Sequence, residues 1–380
     1  MLIFSRFKNC FKFPFKIVRT FASQTDDGLL KTPLYDLHLS HGATMVPYAG
    51  HSMPMTYAEQ SHIESHNWVR QSVGIFDVSH MCQHVFAGQN ATKFLEQITP
   101  SDLIELEPSR WKLSALMLRT GGILGDTIIA KLGQDGYYIV TNAACKDRDL
   151  TFLRFLLESL PGSVDNEVLA GWGLISVQGP KAAILLAKLT DDNLSNLKFG
   201  RTAFANFGGN SHFVSRSGYT GEDRFEISLP PAHTLHFTEQ LLNRVPVTRL
   251  IGLAARNSFR LEAGLCLYGN DIDETTTPVD ASLRFIVGKR RLAESGFNGF
   301  DTPASTGRRE KDGKTEIGRI TSGCPSPTLG YNIAMGYVSA INNSDKKKLS
   351  SGDNVLIEIR DVKRPAKITK MPFVKPKYYR

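Results

Sequence analysis

Cysteine is scarce and scattered in this chain. Its 380 residues include 5, at positions 10, 82, 145, 266 and 324, with no CxxC pair among them. An odd, widely spaced set argues against a disulfide framework or a cysteine zinc site and fits reduced thiols in a reducing compartment. Long apolar runs are also missing: none approaches the roughly 18 residues of a membrane span, so no membrane association is expected. No GxGxxG, GxxxxGK[ST] or GxSxG occurs, so no dinucleotide fingerprint, P-loop or nucleophile elbow is signalled. Acidic residues are absent before Asp26, while Arg6, Lys8, Lys12, Lys16 and Arg19 supply five of the formal +8 charges; subtracting them leaves +3. A nucleic-acid binder would need that charge in the mature chain. Residues 1–23, basic, acid-free and rich in Phe, have the pattern of a mitochondrial presequence cut near Arg19 to Gln24, which implies the matrix. Lysines interrupt the apolar residues too often for a secretory segment, and a disordered basic arm is the alternative.

What remains is long enough for two or three domains. Apolar periodicity predicts helices over 57–71, 91–98 (with Asn90 as cap), 146–160, 182–189, 232–244 and 248–262, the last stopped by Gly264. Strands are predicted over 75–81, 84–86, 113–118, 127–131, 137–141, 174–177, 211–215 and 225–229, with Gly121-Gly122 as a turn. Strands and helices alternate in two similar passes, which gives an α+β class with units over 30–165 and 166–290. Residues 291–314 are polar and read as a linker, and 315–380 as a small β-domain.

Several residues stand where chemistry could be done. Glu226 alternates with Phe225 and Ile227, so it faces the side of its strand opposite to theirs, either inward or to solvent on an edge strand. Asp126 follows Gly121-Gly-Ile-Leu-Gly125, delivered by a turn to a strand start or satisfying local amides, and Val140 and Asn142 lie on a strand that could pair beside it. Arg256 sits among small apolar residues and could meet an anion or carbonyl, or pair with Glu262 or Asp273. His38/His41 and His62/His66 have helical spacing, but in His62-Ile-Glu-Ser-His66 the Glu is misplaced for HExxH, and no metal site is assigned.

Phe76-Asp-Val-Ser-His-Met81, Gly121-Gly-Ile-Leu-Gly-Asp126, Gly218-Tyr-Thr-Gly-Glu-Asp223, Leu253-Ala-Ala-Arg256, Arg260 to Glu274, Gly288-Lys-Arg290, Thr321 to Pro327 and Lys370-Met-Pro-Phe373 together resemble the aminomethyltransferase (T-protein) family of the glycine cleavage system, from about Thr32 to the C-terminus. The resemblance implies a three-domain cloverleaf around a central folate site, with a small C-terminal β-barrel-like domain. It implies tetrahydrofolate as one-carbon acceptor and a lipoyl carrier (H-protein) as partner, with ammonia released and 5,10-methylenetetrahydrofolate formed. Carried over by motif, Met81 and Leu113 would line the pterin, Asp126 would be the catalytic carboxylate, and Val140 and Asn142 would contact the cofactor. Glu226 would grip the amidine-like pterin edge with two parallel hydrogen bonds, and Arg256 and Tyr378 would also contact folate.

Two departures stand out. Many members have Asp-Asp where this chain has Gly125-Asp126, and the stretch between Gly288-Lys-Arg290 and Thr321 is shorter and more polar, which implies a barrel with fewer strands. The alternative of the same fold is a folate-binding iron–sulfur cluster assembly factor. Its Lys-Gly-Cys-Tyr-x-Gly-Gln-Glu pattern is not matched by Gly264-Leu-Cys-Leu-Tyr-Gly-Asn270. Lys289, Arg290 and Arg291, with Lys346 to Lys348 and the basic C-terminal tail, are expected to form a docking face for an acidic carrier, against a reading as solvated surface.

Overall fold

The computed structural model describes residues 24–380 except 26, 59, 160–162, 245–246, 295, 301–316, 339–340 and 343–346. The presequence and much of the polar 291–314 stretch thus lie outside the described residues. Two sheets carry the fold. A five-stranded antiparallel sheet runs in the order Arg110–Met117, Ile123–Lys131, Gly136–Thr141, Cys82–Ala87 and Asp165–Val168. A six-stranded sheet runs Thr202–Phe207, Asn210–Ser215, Arg224–Leu229, Gly173–Gln178, Gly74–Asp77 and Arg249–Leu250, with only the last pair parallel. The chain does not finish one sheet before starting the other: Gly74–Asp77 leaves the first pass to join the six-stranded sheet, and Asp165–Val168 closes the five-stranded one.

Alternation along each strand assigns its faces. Ile175, Val177, Phe225 and Ile227 pack outward on Ala182, Leu185, Phe237 and Leu241 of the covering helices. Ile129, Tyr137 and Ile139 do the same against Phe94, Leu95 and Leu153. The opposite faces meet through Val85, Ala130, Tyr138 and Val140 on one side and Phe76, Leu174 and Phe213 on the other. Gln83 Oε1 joins the two sheets, accepting from Tyr138 Oη at 2.8 Å and Ser228 Oγ at 2.6 Å.

Several predicted details change: the 75–81 strand ends at Asp77 and the 182–189 helix at Leu186. The 57–71 helix begins only at His62, because Tyr57 ends a strand paired with Ala43, and Ser61 and Glu64 form a reciprocal capping box. Asn90 makes no side-chain cap; its φ of −108° and ψ of 6° are not the extended backbone a cap needs. The 248–262 prediction splits into a short strand, Arg249–Leu250, and the helix Leu253–Glu262. Gly264, at φ +68°, ends that helix in the left-handed region.

Beyond it the chain forms three two-stranded ladders: Gly318–Ser326 with Tyr331–Val338, Ile341–Asn342 with Lys347–Lys348, and Asn354–Ile359 with Val362–Lys367. Among the described residues, Ile333 and Met335 of these strands join Leu261 in a buried apolar cluster, with Cys324 packed against it. Polar contacts do the rest. The buried Glu262 carboxylate accepts from Arg70 Nη2 at 2.5 Å, Ser326 Oγ at 2.5 Å, Thr328 Oγ1 at 2.7 Å and Thr328 N at 3.1 Å, with His66 Nε2 3.2 Å away. Arg260 binds Asp271 at 2.5 Å and Ser322 Oγ at 2.8 Å. Val374 N then donates to the Glu262 carbonyl at 3.0 Å, fixing the C-terminal tail.

Burial pushes the Glu262 carboxyl up, but the bonds from His66, Ser326 and Thr328 outweigh it and hold the group well below the ordinary carboxylate range. A depressed carboxylate stabilises the fold fully above its unfolded pKa of about 4.3, and that contribution is lost as pH falls through the lower native value. Glu262→Gln is therefore expected to destabilise the protein by about 3–5 kcal/mol at pH 7 in urea unfolding. The gap to the parent should narrow at pH 3; an equal gap at both pH values would show that the charge is not what holds the domains.

Candidate active site

The site lies between the inner faces of the two sheets. In the five-stranded sheet Leu113 pairs with Ile128 and Ile128 with Val140, and two residues along, Ala115 pairs with Asp126. Directly opposed and alternate residues share a face, so Leu113, Asp126, Val140 and Asn142 all point the same way. Asn142 Nδ2 donates to Asp126 Oδ1 at 3.0 Å, while Asn142 Oδ1 is fixed by Ala144 N at 3.1 Å. Val140 and Met81 belong to the inter-sheet apolar layer. Leu113 packs at its margin, on the cluster containing Ala115, Tyr268 and Ile286.

The opposing wall comes from the six-stranded sheet. Glu226 points inward, away from Phe225 and Ile227, and accepts from Ser217 Oγ at 2.6 Å. Its charge is felt by Tyr138 across the gap, whose phenol is pushed up, first by burial. Arg256, from the helix Leu253–Glu262, lies in electrostatic reach of Asp126, its guanidinium 4.6 Å from the Tyr219 ring centroid. Its Nη1 is buried without an acceptor among the described residues. It does not pair with Glu262, which is taken by Arg70 and His66. Tyr219 donates its hydroxyl to the Cys266 carbonyl. His80, buried beside Tyr48 and His51, is held neutral, its pKa lowered to about 3 by burial and then by Arg256.

Tyr378 reaches the site from the C-terminal tail. Its ring stacks on Phe199 at 4.2 Å and 9°, and Phe199 stands edge-on to Trp111 at 5.2 Å. The Arg224 guanidinium covers both Tyr378 and Phe199, at 4.6 and 5.3 Å. Lys377 N donates to the Gly221 carbonyl at 2.8 Å, and Phe199 N to that of Tyr379 at 2.8 Å, so backbone bonds hold the tail against the Gly218–Asp223 turn. Trp111, Phe199, Tyr219 and Arg224 were not singled out by sequence reasoning. Tyr219 lies in a quoted motif, and Arg224 could have been found two residues before Glu226 on the same strand face.

Much of the motif sequence is scaffolding for these residues. A Cβ on Gly122 would stand 1.7 Å from the Glu274 carbonyl oxygen, so only glycine lets the 265–276 segment lie on the strand that carries Asp126. Tyr268 Oη then donates to the Ile123 carbonyl at 3.1 Å and Ile123 N to that of Thr276 at 3.0 Å. Asp77 is locked by Thr32 Oγ1 at 2.6 Å, His38 Nε2 at 2.9 Å and Ser79 N at 2.9 Å, which sets the loop leading to His80 and Met81. His38 and His66 are thus structural, and among the described residues no His, Cys, Asp and Glu group could hold a metal.

The expected docking face does not survive in its arginines. Arg290 is held by Glu96, Asp102 and Glu294, and Arg291 is buried against Glu96, so their charge is spent inside the protein. Lys289 is exposed, while Lys346 lies outside the described residues.

Burial pushes the Asp126 carboxyl above its ordinary value, opposed by the Asn142 hydrogen bond and by Arg256. Behind it lies Asp149, fully buried, neither oxygen with a partner among the described residues, pushed up to about 8 chiefly by burial, with Arg148 opposing and Asp126 adding. A Cβ on Gly125 would stand 3.0 Å from Asp149 Oδ2, a packing reason for glycine beside Asp126. Asn142→Ala removes the bond that favours the charged form of Asp126, so its titration midpoint should move to higher pH, read by carboxyl-carbon NMR. An unmoved midpoint would remove Asn142 from the electrostatics of the site.

Comparison with known proteins gives the family of the chain. The family model described as "GCVT N-terminal domain" matches residues 34–291, and the one described as "Glycine cleavage T-protein C-terminal barrel domain" matches 303–375. The chain is 46% identical to the "Probable aminomethyltransferase, mitochondrial" of Schizosaccharomyces pombe over 95% of this chain and 97% of that one. It is 41% identical to the "Aminomethyltransferase, mitochondrial" of Homo sapiens, covering 92% and 91%. Among solved structures, the glycine cleavage system aminomethyltransferase T from Bartonella henselae superposes with a TM-score of 0.82 at 32% identity, over 93% of this chain and 100% of that one. With a mixed α/β body, a C-terminal barrel domain and these matches along nearly its whole length, the chain belongs to the glycine cleavage T-protein, or aminomethyltransferase, family.

Proposed function

We propose that this chain, working in the mitochondrial matrix after loss of residues 1–23, releases ammonia from an aminomethyl group on the lipoyl sulfur of a carrier protein (H-protein) and passes the carbon to tetrahydrofolate. The carbon loses its bonds to sulfur and nitrogen and gains bonds to two folate nitrogens, giving 5,10-methylenetetrahydrofolate. The two folate N–H protons leave on the thiol and the ammonia. The observation that carries this reading is a pair of inward carboxylates, Asp126 and Glu226, on facing sheets with an apolar layer beside them. A flat heteroaromatic ring with one polar edge fits such a slot, and the unspent Nη1 of Arg256 supports a polar ligand there.

Each residue then has a task. Glu226, oriented by Ser217, grips the amidine-like edge of the pterin with two parallel bonds. Met81, Leu113 and Val140 supply the apolar lining, with Arg256 and Tyr378 as further folate contacts. Asp126, oriented by Asn142, holds the folate amines and stabilises positive charge developing on the transferred carbon. That charge is worth more in a water-poor site than in bulk water.

The test is tetrahydrofolate-dependent ammonia release from aminomethylated lipoyl carrier. Asp126→Asn keeps the size and removes the charge, so kcat should fall by about 10²–10³-fold, with a much smaller change in folate affinity. Unchanged turnover in this variant would refute the role of Asp126. No ammonia release by the parent chain would refute the activity itself.

A further inference from the structure

Arg224 is the least satisfied cation of the site. It is 3% exposed, and its Nε and Nη1 find no acceptor among the described residues. The nearby carboxylates are already engaged: Asp223 takes both Nε and Nη2 of Arg216, at 2.8 and 2.5 Å, and Glu226 takes Ser217. They reach Arg224 through space, and the Tyr378 ring lies 4.6 Å from its guanidinium, but its Nε and Nη1 stay without an acceptor among the described residues. A buried guanidinium with unused N–H groups is costly unless something completes it. Its surroundings are polar in the same way. In the sheet register Arg224 stands opposite Gln178, and Glu226 opposite Ser176 and Ser215, all five on the inner face and all but Glu226 buried.

Arg224 and Glu226 flank Phe225, so they share that face about 7 Å apart along the strand. We infer that Arg224 is a ligand-recognition residue that donates to the carbonyl oxygen of the pteridine ring, the group next to the edge that Glu226 holds; this rests on the folate reading. The two residues are complementary. On a pterin the amino group and ring N–H are donors, matched by the carboxylate, and the adjacent ring carbonyl is an acceptor, matched by the guanidinium. A 2,4-diaminopteridine presents a donor at that position and leaves Arg224 unanswered. Glu226 alone accepts from either ring, so discrimination between the two comes from Arg224.

The test measures equilibrium binding of three probes to the full chain: tetrahydrofolate, a 6-methyltetrahydropterin without the benzoylglutamate tail, and its 2,4-diamino counterpart. The parent should prefer the 4-oxo pterin over the diamino compound by about 10–100-fold, the range of a hydrogen bond to a charged group. Arg224→Met should lose affinity for both 4-oxo ligands by a similar factor and lose the preference. Arg224→Lys keeps a cation over Phe199 and Tyr378 without the planar fork, so it should hold the tail, read as hydrogen-exchange protection of residues 374–380, without restoring the preference. An intact preference in Arg224→Met would overturn the inference. So would a loss seen only with the benzoylglutamate tail present, which would assign the two donors to the tail carboxylates, or a preference fully restored by lysine. Glu226→Gln separates the two levels. If it weakens every probe while Arg224→Met weakens none, only the inference falls. If the parent binds no pterin, the inference and the folate reading fall together.

Discussion

The buried carboxylate of Glu262 is the point on which the assembly of this chain turns. It lies at the end of the helix Leu253–Glu262 and receives Arg70 and His66 from one neighbouring helix and Ser326 and Thr328 from the C-terminal hairpin. The hairpin needs such a contact, because its buried apolar cluster is small: Ile333 and Met335 on Leu261, with few partners. His66 is lowered by burial, so it serves Glu262 as a neutral neighbour and Arg70 carries the compensating charge. An ion pair out of water gives little net stability over an apolar contact, but it tolerates only one geometry once every oxygen is bonded. Here that geometry fixes the tail. The carbonyl of Glu262 holds Val374, Glu222 holds both Arg70 and Lys377, and the tail then delivers Tyr378 to Phe199 and Arg224. The far edge of the site therefore depends on a carboxylate that touches no ligand.

Local patterns were legible in the sequence where local physics decides them. The strands at 137–141 and 225–229 and the helix at 91–98 follow from apolar periodicity, and the structure has each of them within a residue or so. The capping box at Ser61 and Glu64 was also readable and would have corrected the helix start; the prediction missed it because the apolar pattern runs on through Tyr57. The interleaving of the sheets was not legible. Nothing near Gly74–Asp77 says that it will pair with Gly173–Gln178 in place of Cys82–Ala87, since strand partners are set by contacts about a hundred residues away.

The candidate site was legible through motifs, and unevenly. Alternation set Glu226 opposite to Phe225 and Ile227 but left it inward or solvent-facing, and the turn left Asp126 two fates; the strand pairings, with Ser217 on Glu226 and Asn142 on Asp126, decide both. The Arg260–Glu274 stretch looked chemical but is mostly structural. Arg260 is spent on Asp271, Tyr268 on the Ile123 carbonyl, and Asp271 on Leu267 and Thr321 as well. Charged residues in a dense motif look uncommitted whenever their partners are distant in sequence. Arg290 and Arg291 misled in the same way, because Glu96 lies nearly two hundred residues before them.

The candidate site gathers charges of both signs. Asp126, Arg256, Glu226 and Arg224 give two negative and two positive side chains around one slot, with neighbouring Asp149 neutral at pH 7 because its carboxyl is raised to about 8. The balance shapes the chemistry at its Asp126 end. Burial makes that carboxylate costly to ionise in the free protein, and Asn142 with Arg256 only partly offsets the cost. A positive charge appearing on a transferred carbon would remove the remainder. Were the proposed transfer to run at Asp126, its carboxylate would be better matched to the cationic transition state than to the resting site, which is the direction that electrostatic catalysis requires.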